Sequence, residues 1–276
     1  ERRKLTQDQV AKILSSLSGT TDIAALAACD IVIEAVFEDL KVKHELLSRL
    51  NQVCPPHTLF ASNTSTLSIT EIAAGSGRED RCVGMHFCLP AQLMKLVEMS
   101  PGLKTAEATF QAAWDFCKAM GQTPVKTQDS PGFILNYFLI PFLNDVIRLV
   151  EAGVAAPADI DRALKTGLGY AMGPLELLDL VGLDTHLLVT EALYAATLES
   201  ARLSGGETVL DLYCGTGTLT LLFARAVEGG TVVGVESVPE AVAHAVRNAA
   251  RNHLRARFVT GEARRVLREW ARGERP

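Results

Sequence analysis

The stretch Cys82-Val-Gly-Met-His86-Phe-Cys-Leu-Pro90-Ala-Gln92-Leu-Met-Lys-Leu-Val-Glu98-Met99 decides how the first half of the chain is read. Two apolar runs flank a Leu-Pro break, and each carries one functional side chain. Paired as an antiparallel hairpin centred on Gln92, the runs set His86 directly opposite Glu98. Cross-strand neighbours have Cβ atoms about 5 Å apart, close enough for a carboxylate to hold an imidazole. The alternative is a satisfied core histidine and an unrelated surface glutamate. Pattern alone leaves both open.

Upstream, Thr6 to Leu17 reads as a helix, and Asp30 to Phe37 as a continuous β-branched run of the kind found in buried parallel strands. Leu40 to Val53 follows as an amphipathic helix ended by Pro55-Pro56, then Thr58 to Asn63 as a strand, Ile69 to Ala74 as a short helix and Arg81 to Phe87 as a strand. Alternating strands and helices predict a parallel sheet of βαβ units, whose ligands bind beyond the carboxyl ends of the strands. Glu34, Ser65 and His86 all fall at such ends, which points to a shared crevice. Thr105 to Met120 is predicted helical with Gly121 behind it, and Pro124 to Gln128 is a last strand.

After Asp129-Ser-Pro-Gly132 only helices are expected: Phe133 to Ala152 with Pro141 inside, Ala158 to Thr166, and Pro174 to Val181. A boundary is placed near Ser130. From about Glu191 a third pattern begins. Thr208 to Tyr213 is a strand, Cys214-Gly-Thr-Gly217-Thr a tight turn and Leu219 to Val227 a helix. Thr231 to Glu236, Pro239 to Asn252, Arg257 to Gly261 and Ala263 to Trp270 continue as strand, helix, strand and helix.

The 276 residues suffice for two domains, and a 48% apolar content with net charge -5 describes an ordinary soluble chain. No run of eighteen apolar residues or secretory leader is seen, so no membrane span is expected and a cytoplasmic location is. The six cysteines form no CxxC pair and read as reduced core thiols, so no metal is expected. All nine lysines lie at or before Lys165, whereas eleven of eighteen arginines follow Ala201. Local structure does not require that switch, which suggests different histories for the two ends.

Oxidising an alcohol needs a base for the hydroxyl proton while hydride leaves for an acceptor. Histidine titrates near neutrality, and a glutamate on its other nitrogen fixes the tautomer. His86 and Glu98 would supply that pair, with Ser65 and Asn136 hydrogen-bonding the reacting oxygen. The plainer readings of the last two are a strand-end turn and a polar helix residue.

From about Lys4 to Thr190 the sequence closely resembles the 3-hydroxyacyl-CoA dehydrogenase family. The resemblance rests on Ile33-Glu-Ala-Val-Phe-Glu-Asp-Leu-Lys-Val-Lys43, Ala61-Ser-Asn-Thr-Ser-Thr-Leu67, Gly84-Met-His86-Phe, Met94-Lys-Leu-Val-Glu98, Asp129-Ser-Pro-Gly-Phe-Ile-Leu-Asn136 and Met172-Gly-Pro-Leu-Glu-Leu-Leu-Asp-Leu-Val-Gly-Leu-Asp184. It implies that His86 is the general base and Glu98 its partner, that Ser65 and Asn136 position the substrate, and that Ala35, Glu38 and Lys43 lie along the nicotinamide cofactor. NAD and a 3-hydroxyacyl thioester of coenzyme A are the implied cofactor and substrate, and a homodimer the implied assembly. Two departures stand out. Leu89 replaces the asparagine usual beside the nicotinamide, and no strand-GxGxxG-helix unit of the family's opening precedes Lys4, so NAD affinity is expected to suffer. The helical part is also expected to end early, soon after Asp184, leaving the dimer region truncated.

Gly215 and Gly217 form a glycine-rich strand-turn-helix, and Glu236 ends the next strand nineteen residues later, where an acid would meet a ribose. Spacing alone allows NAD or S-adenosylmethionine. The segment resembles class I methyltransferases, most closely the RNA uracil-C5 methyltransferases, on Glu191-Ala-Leu-Tyr194, Val209-Leu-Asp211-Leu-Tyr-Cys-Gly-Thr-Gly-Thr-Leu-Thr220, Gly234-Val-Glu-Ser-Val-Pro-Glu-Ala-Val242 and Asn248-Ala-Ala-Arg-Asn252. That implies S-adenosylmethionine held by Asp211, Gly215, Gly217 and Glu236, over the first half of such a domain only. Cys214 lies in the cofactor turn and is not read as a nucleophile. Nine arginines against Glu262, Glu269 and Glu274 in residues 241–276 suit an RNA-facing surface, but a solvated helix face explains them more simply.

The expected architecture is therefore α/β: an incomplete Rossmann-type parallel sheet over 1–129, a helical domain over 130–190, and a partial class I methyltransferase Rossmann-like βαβ unit over 191–276. The expected function is NAD-dependent oxidation of 3-hydroxyacyl-CoA. Its rivals are an S-adenosylmethionine-binding fragment and a fused or truncated chain with neither activity. A remoter expectation lays residues 208–213 against the edge strand at 31–37.

Overall fold

The computed structural model describes residues 6–227 and 229–273. Lys4, where the resemblance begins, and Glu274 lie outside the described residues. Two compact units form, 1–148 and 149–276.

The first unit is built on a five-stranded sheet, β1 (Ile31–Glu34), β2 (Leu59–Ser62), β3 (Cys82–Phe87), β4 (Leu96–Pro101) and β5 (Thr123–Lys126), in that spatial order. β1, β2 and β3 run parallel, β3 and β4 antiparallel, and β4 and β5 parallel. Four helices accompany it: α1 (Gln7–Ser15), α2 (Leu40–Val53), α3 (Ile69–Ala74) and α4 (Glu107–Ala119). Strand alternation sorts the core into two layers. Phe60 and Cys82 point to one face with Leu47 and Leu50 of α2 and Ile69 and Ile72 of α3. Leu59, Ala61, Val83 and Met85 point to the other, with Val97 and Met99 of β4 and Phe110, Ala113 and Cys117 of α4. Each large buried apolar side chain contributes roughly 1.5–3 kcal/mol. His86 lies an even number of positions from Cys82 and so shares the α3 face. Gly84, between them, lets α3 sit close: a Cβ there would come within 2.8 Å of the Ile69 side chain.

The first strand is shorter than the expected Asp30 to Phe37. It stops at Glu34, whose carboxylate turns back to accept the Val36 amide at 3.1 Å, and Phe37 stands 85% exposed. α5 (Leu135–Glu151) starts two residues later than expected, because Gly132 and Phe133 adopt positive φ of 77° and 48°. The division between units falls inside α5, whereas junctions were expected near Ser130 and Thr190. The start of α5 is tied to the sheet by Glu98, which accepts the Ile134 and Leu135 amides at 2.9 Å.

The second unit contains α6 (Pro157–Leu168), α7 (Pro174–Val181) and α8 (Leu183–Ala201), then β6 (Thr208–Leu212), α9 (Thr218–Ala226), β7 (Thr231–Glu236), α10 (Pro239–Arg251), β8 (Arg257–Thr260) and α11 (Ala263–Ala271). β6, β7 and β8 make a parallel sheet of their own, so β6 bonds β7, and the remoter expectation of pairing with residues 31–37 is overturned. α8 was not foreseen. It runs unbroken through residue 190, and its Leu183, Leu187 and Leu188 are exposed while His186 is buried, so it lacks the single apolar stripe by which a helix is recognised. No helix among the described residues is long and apolar enough to cross a membrane.

Asp129 stitches the first unit together from outside its helices. Its carboxylate accepts the Ile69 and Thr70 amides at 2.7 and 2.8 Å and the Ser68 and Thr70 hydroxyls at 2.9 and 2.5 Å. It thus satisfies free N–H groups at the start of α3 from a position sixty residues away. Asp129→Ala is expected to lower the unfolding free energy of this unit by about 2 kcal/mol, read as a lower urea midpoint by circular dichroism, with Asp129→Asn intermediate. An unchanged midpoint would show the cap to be dispensable.

Candidate active site

The hairpin brings the opening pair together. His86 and Glu98 are register partners across β3 and β4, and His86 Nδ1 lies 2.8 Å from Glu98 Oε2. On the other ring nitrogen, Ser65 Oγ lies 3.1 Å from Nε2. A carboxylate can only accept, so Nδ1 carries the proton and donates it, which leaves the Nε2 lone pair facing Ser65. The Phe133 ring stands 5.6 Å from the imidazole, tilted by 37°, and walls off one side of it.

Glu98 is 1% exposed. Burial pushes its carboxyl upward, but the hydrogen bonds from His86 and from the Leu135 and Ile134 amides outweigh that and hold it below the ordinary carboxylate range. The amides are available because the Gly132–Phe133 turn aims the first free N–H groups of α5 at Oε1, where the helix dipole also favours negative charge. Asn136 follows in the first turn of α5, one residue after Leu135, with its amide bonded to the Gly132 carbonyl at 3.1 Å. Ser65, His86 and Glu98 are thus directly connected, whereas Asn136 is related to them only through its place beside Leu135.

At the carboxyl end of β1, Ala35 and Glu38 are exposed, whereas Lys43 on α2 is 1% exposed. The Lys43 Nζ lies 3.0 Å from Glu34 and 3.3 Å from Glu38. Glu34 in turn accepts a short hydrogen bond from Ser62 Oγ. Glu34 and Phe133 carry structure that residue type alone did not reveal. The lone acid at a strand end signalled the first, and the Ser-Pro-Gly turn, read only as a boundary, was the available signal for the second.

In the second unit, Asp211 is the next-to-last residue of β6 and its Oδ2 accepts from Thr220 Oγ1 at 2.6 Å. Burial raises the Asp211 carboxyl, and the Thr220 bonds oppose that only partly. Gly215 and Gly217 have φ of 53° and 85°, and a Cβ at 217 would come within 2.9 Å of Phe258. Glu236 ends β7 and bonds the Gly215 amide at 3.1 Å and the Val238 amide at 2.9 Å. Cys214 is buried in this turn, its thiol pushed up to about 11 by burial and the nearby Asp211, which leaves it unreactive at neutral pH.

Three family models match successive stretches of the chain, the last two overlapping at 209–219. Residues 1–130 match the 3-hydroxyacyl-CoA dehydrogenase NAD binding domain, 132–219 the C-terminal domain of the same family, and 209–272 a methyltransferase domain. The mitochondrial hydroxyacyl-coenzyme A dehydrogenase of Rattus norvegicus is 50% identical over 192 residues, 69% of this chain and 61% of that protein. The probable 3-hydroxybutyryl-CoA dehydrogenase of Bacillus subtilis is 42% identical over 200 residues, 72% of this chain and 70% of the relative. Among solved structures, FadB2 of M. tuberculosis is 38% identical with a TM-score of 0.67, covering 72% of this chain and 70% of its own. PaaH1, the (S)-3-hydroxybutyryl-CoA dehydrogenase of Ralstonia eutropha, is 39% identical with a TM-score of 0.66, covering 71% and 69%. The chain spans 61% of the length of the rat relative. Across most of its length, in both the sheet that carries His86 and the helices that follow, the chain belongs to the 3-hydroxyacyl-CoA dehydrogenase family.

Proposed function

We propose that the first unit oxidises a 3-hydroxyacyl-CoA to the 3-oxoacyl-CoA. The observation that carries this reading is the Ser65–His86–Glu98 series of hydrogen bonds, with His86 Nε2 as the accepting nitrogen beside the Ser65 hydroxyl. His86 Nε2 takes the proton of the 3-hydroxyl as the C3–H bond is broken. Ser65 Oγ and Asn136 hold that oxygen within reach. Glu98 keeps the proton on Nδ1 and stabilises the imidazolium that forms.

The hydride must leave to an acceptor, and NAD supplies that chemistry. The site suits its reacting end: Ala35 is exposed where β1 ends, at the same edge of the sheet as Ser65 and His86. Leu89, 79% exposed after β3, offers an apolar contact there and no hydrogen bond.

A second reading concerns residues 208–236. The acid at the end of β7, bonded back to a left-handed glycine turn, suits the ribose and amino-acid ends of S-adenosylmethionine, as do Asp211 and Gly217. It implies S-adenosylmethionine binding at this turn. RNA as a partner rests only on the arginine-rich stretch and the family likeness.

His86→Ala is expected to cut NAD-dependent oxidation of a 3-hydroxyacyl-CoA at least 100-fold, as expected for loss of a general base. No NADH formation by the parent protein at saturating NAD and substrate would sink the dehydrogenase reading. Calorimetry with S-adenosylmethionine tests the second reading: saturable heat that Gly215→Val removes supports it, and an absence of heat ends it. Glu98 also predicts a pH response. Its folded pKa lies below the unfolded value, so the stability it contributes is present above about pH 4.3 and is lost as pH falls through the folded pKa. Acid unfolding of Glu98→Gln should show a shallower loss of stability below that pH than the parent; parallel curves would contradict it.

A further inference from the structure

Resemblance puts Glu38 along the cofactor, yet its carboxylate is already engaged. Oε1 accepts from Thr64 Oγ1 at 2.5 Å, from the Ser65 amide at 2.8 Å, from the Thr66 amide at 2.9 Å and from Thr66 Oγ1 at 3.0 Å. Four donors exceed the two lone pairs of one carboxylate oxygen, so no acceptor capacity is left there for a ligand hydroxyl. Oε2 faces Lys43 Nζ at 3.3 Å. Lys43 has nowhere else to point, because it is buried and its other partner is the buried Glu34, at 3.0 Å to both oxygens.

The loop that Glu38 gathers belongs to neither helix nor strand, and its middle residue is Ser65. Among the described residues the Ser65 amide has Glu38 as its partner. The Ser65 hydroxyl then reaches His86. We propose that Glu38 is a positioning residue for the dehydrogenase reaction: held by Lys43 and Glu34, it fixes the 64–66 loop so that Ser65 faces Nε2 of His86. Partial desolvation acts upward on the Glu38 carboxyl, but Thr64, Lys43 and the loop amides outweigh it and hold it below the usual carboxylate range, so Glu38 holds that loop as a carboxylate at neutral pH. The inference rests on the dehydrogenase reading for its turnover readout alone.

The test compares Glu38→Ala, Glu38→Gln, Ser65→Ala and Glu38→Ala/Ser65→Ala in the full chain. Glu38→Ala should lower kcat roughly tenfold, with the KM for NAD within twofold of the parent, because the loop is misplaced and no cofactor contact is lost. In the Ser65→Ala background the same change should have little further effect, since its action runs through Ser65. Glu38→Gln keeps one acceptor oxygen and should retain most of kcat. Two readouts need no turnover. Amide exchange at Ser65 and Thr66 should accelerate in Glu38→Ala and stay slow in Glu38→Gln, and the His86 Nε2 nitrogen shift should move alike in Glu38→Ala, Ser65→Ala and the double variant. A raised KM for NAD with kcat intact, additive effects of the two alanine variants, or unchanged Ser65 exchange would each overturn the proposal. If the parent shows no turnover, exchange and the nitrogen shift decide it alone.

Discussion

The bond between Glu98 and His86 is the constraint on which the site depends. A carboxylate that is 1% exposed is costly unless its charge is met by donors. Three are supplied: one imidazole N–H from β3 and two amides from the start of α5. Those donors come from segments distant in sequence, so satisfying one charge fixes the hairpin register, the imidazole tautomer and the entry of the helix together. Slipping the hairpin by one residue would turn Glu98 to the opposite face and leave both the charge and the helix terminus unmet.

The same device recurs. Asp129 receives the Ile69 and Thr70 amides, Asp161 those of Leu175 and Glu176, Glu38 those of Ser65 and Thr66, and Glu236 those of Gly215 and Val238. In each case two backbone donors that secondary structure leaves free are closed by one acid. Loops placed this way lose little freedom when a ligand arrives, because their amides are already fixed.

Much of this was legible in residue order because it follows from periodicity. The hairpin centred on Gln92 follows from two apolar runs around a Leu-Pro break, and α2, α3, α7 and β7 begin and end where their patterns do. What escaped lacked a local signal. α8 distributes its leucines around the helix, so no stripe marks it. Residues 35–37 are apolar and continue the run before them, but a side chain in the same segment, Glu34, captures the Val36 amide and ends the strand. The resemblance placed Lys43 along the cofactor, whereas its burial follows from the carboxylates of Glu34 and Glu38. Such outcomes depend on side-chain partners that periodicity does not show.

The distribution of acids also assigns the chemistry. Glu34, Glu38 and Glu98 are engaged by lysine, hydroxyls, an imidazole and amides. A group so saturated serves poorly as a base, because taking a proton would forfeit the bonds that hold it. His86 alone has one nitrogen fixed by a donor bond and the other presented as an acceptor. In the proposed reaction the carboxylates therefore set geometry and field, and the imidazole takes the proton. Division of labour of this kind follows from hydrogen-bond inventory before any substrate is considered.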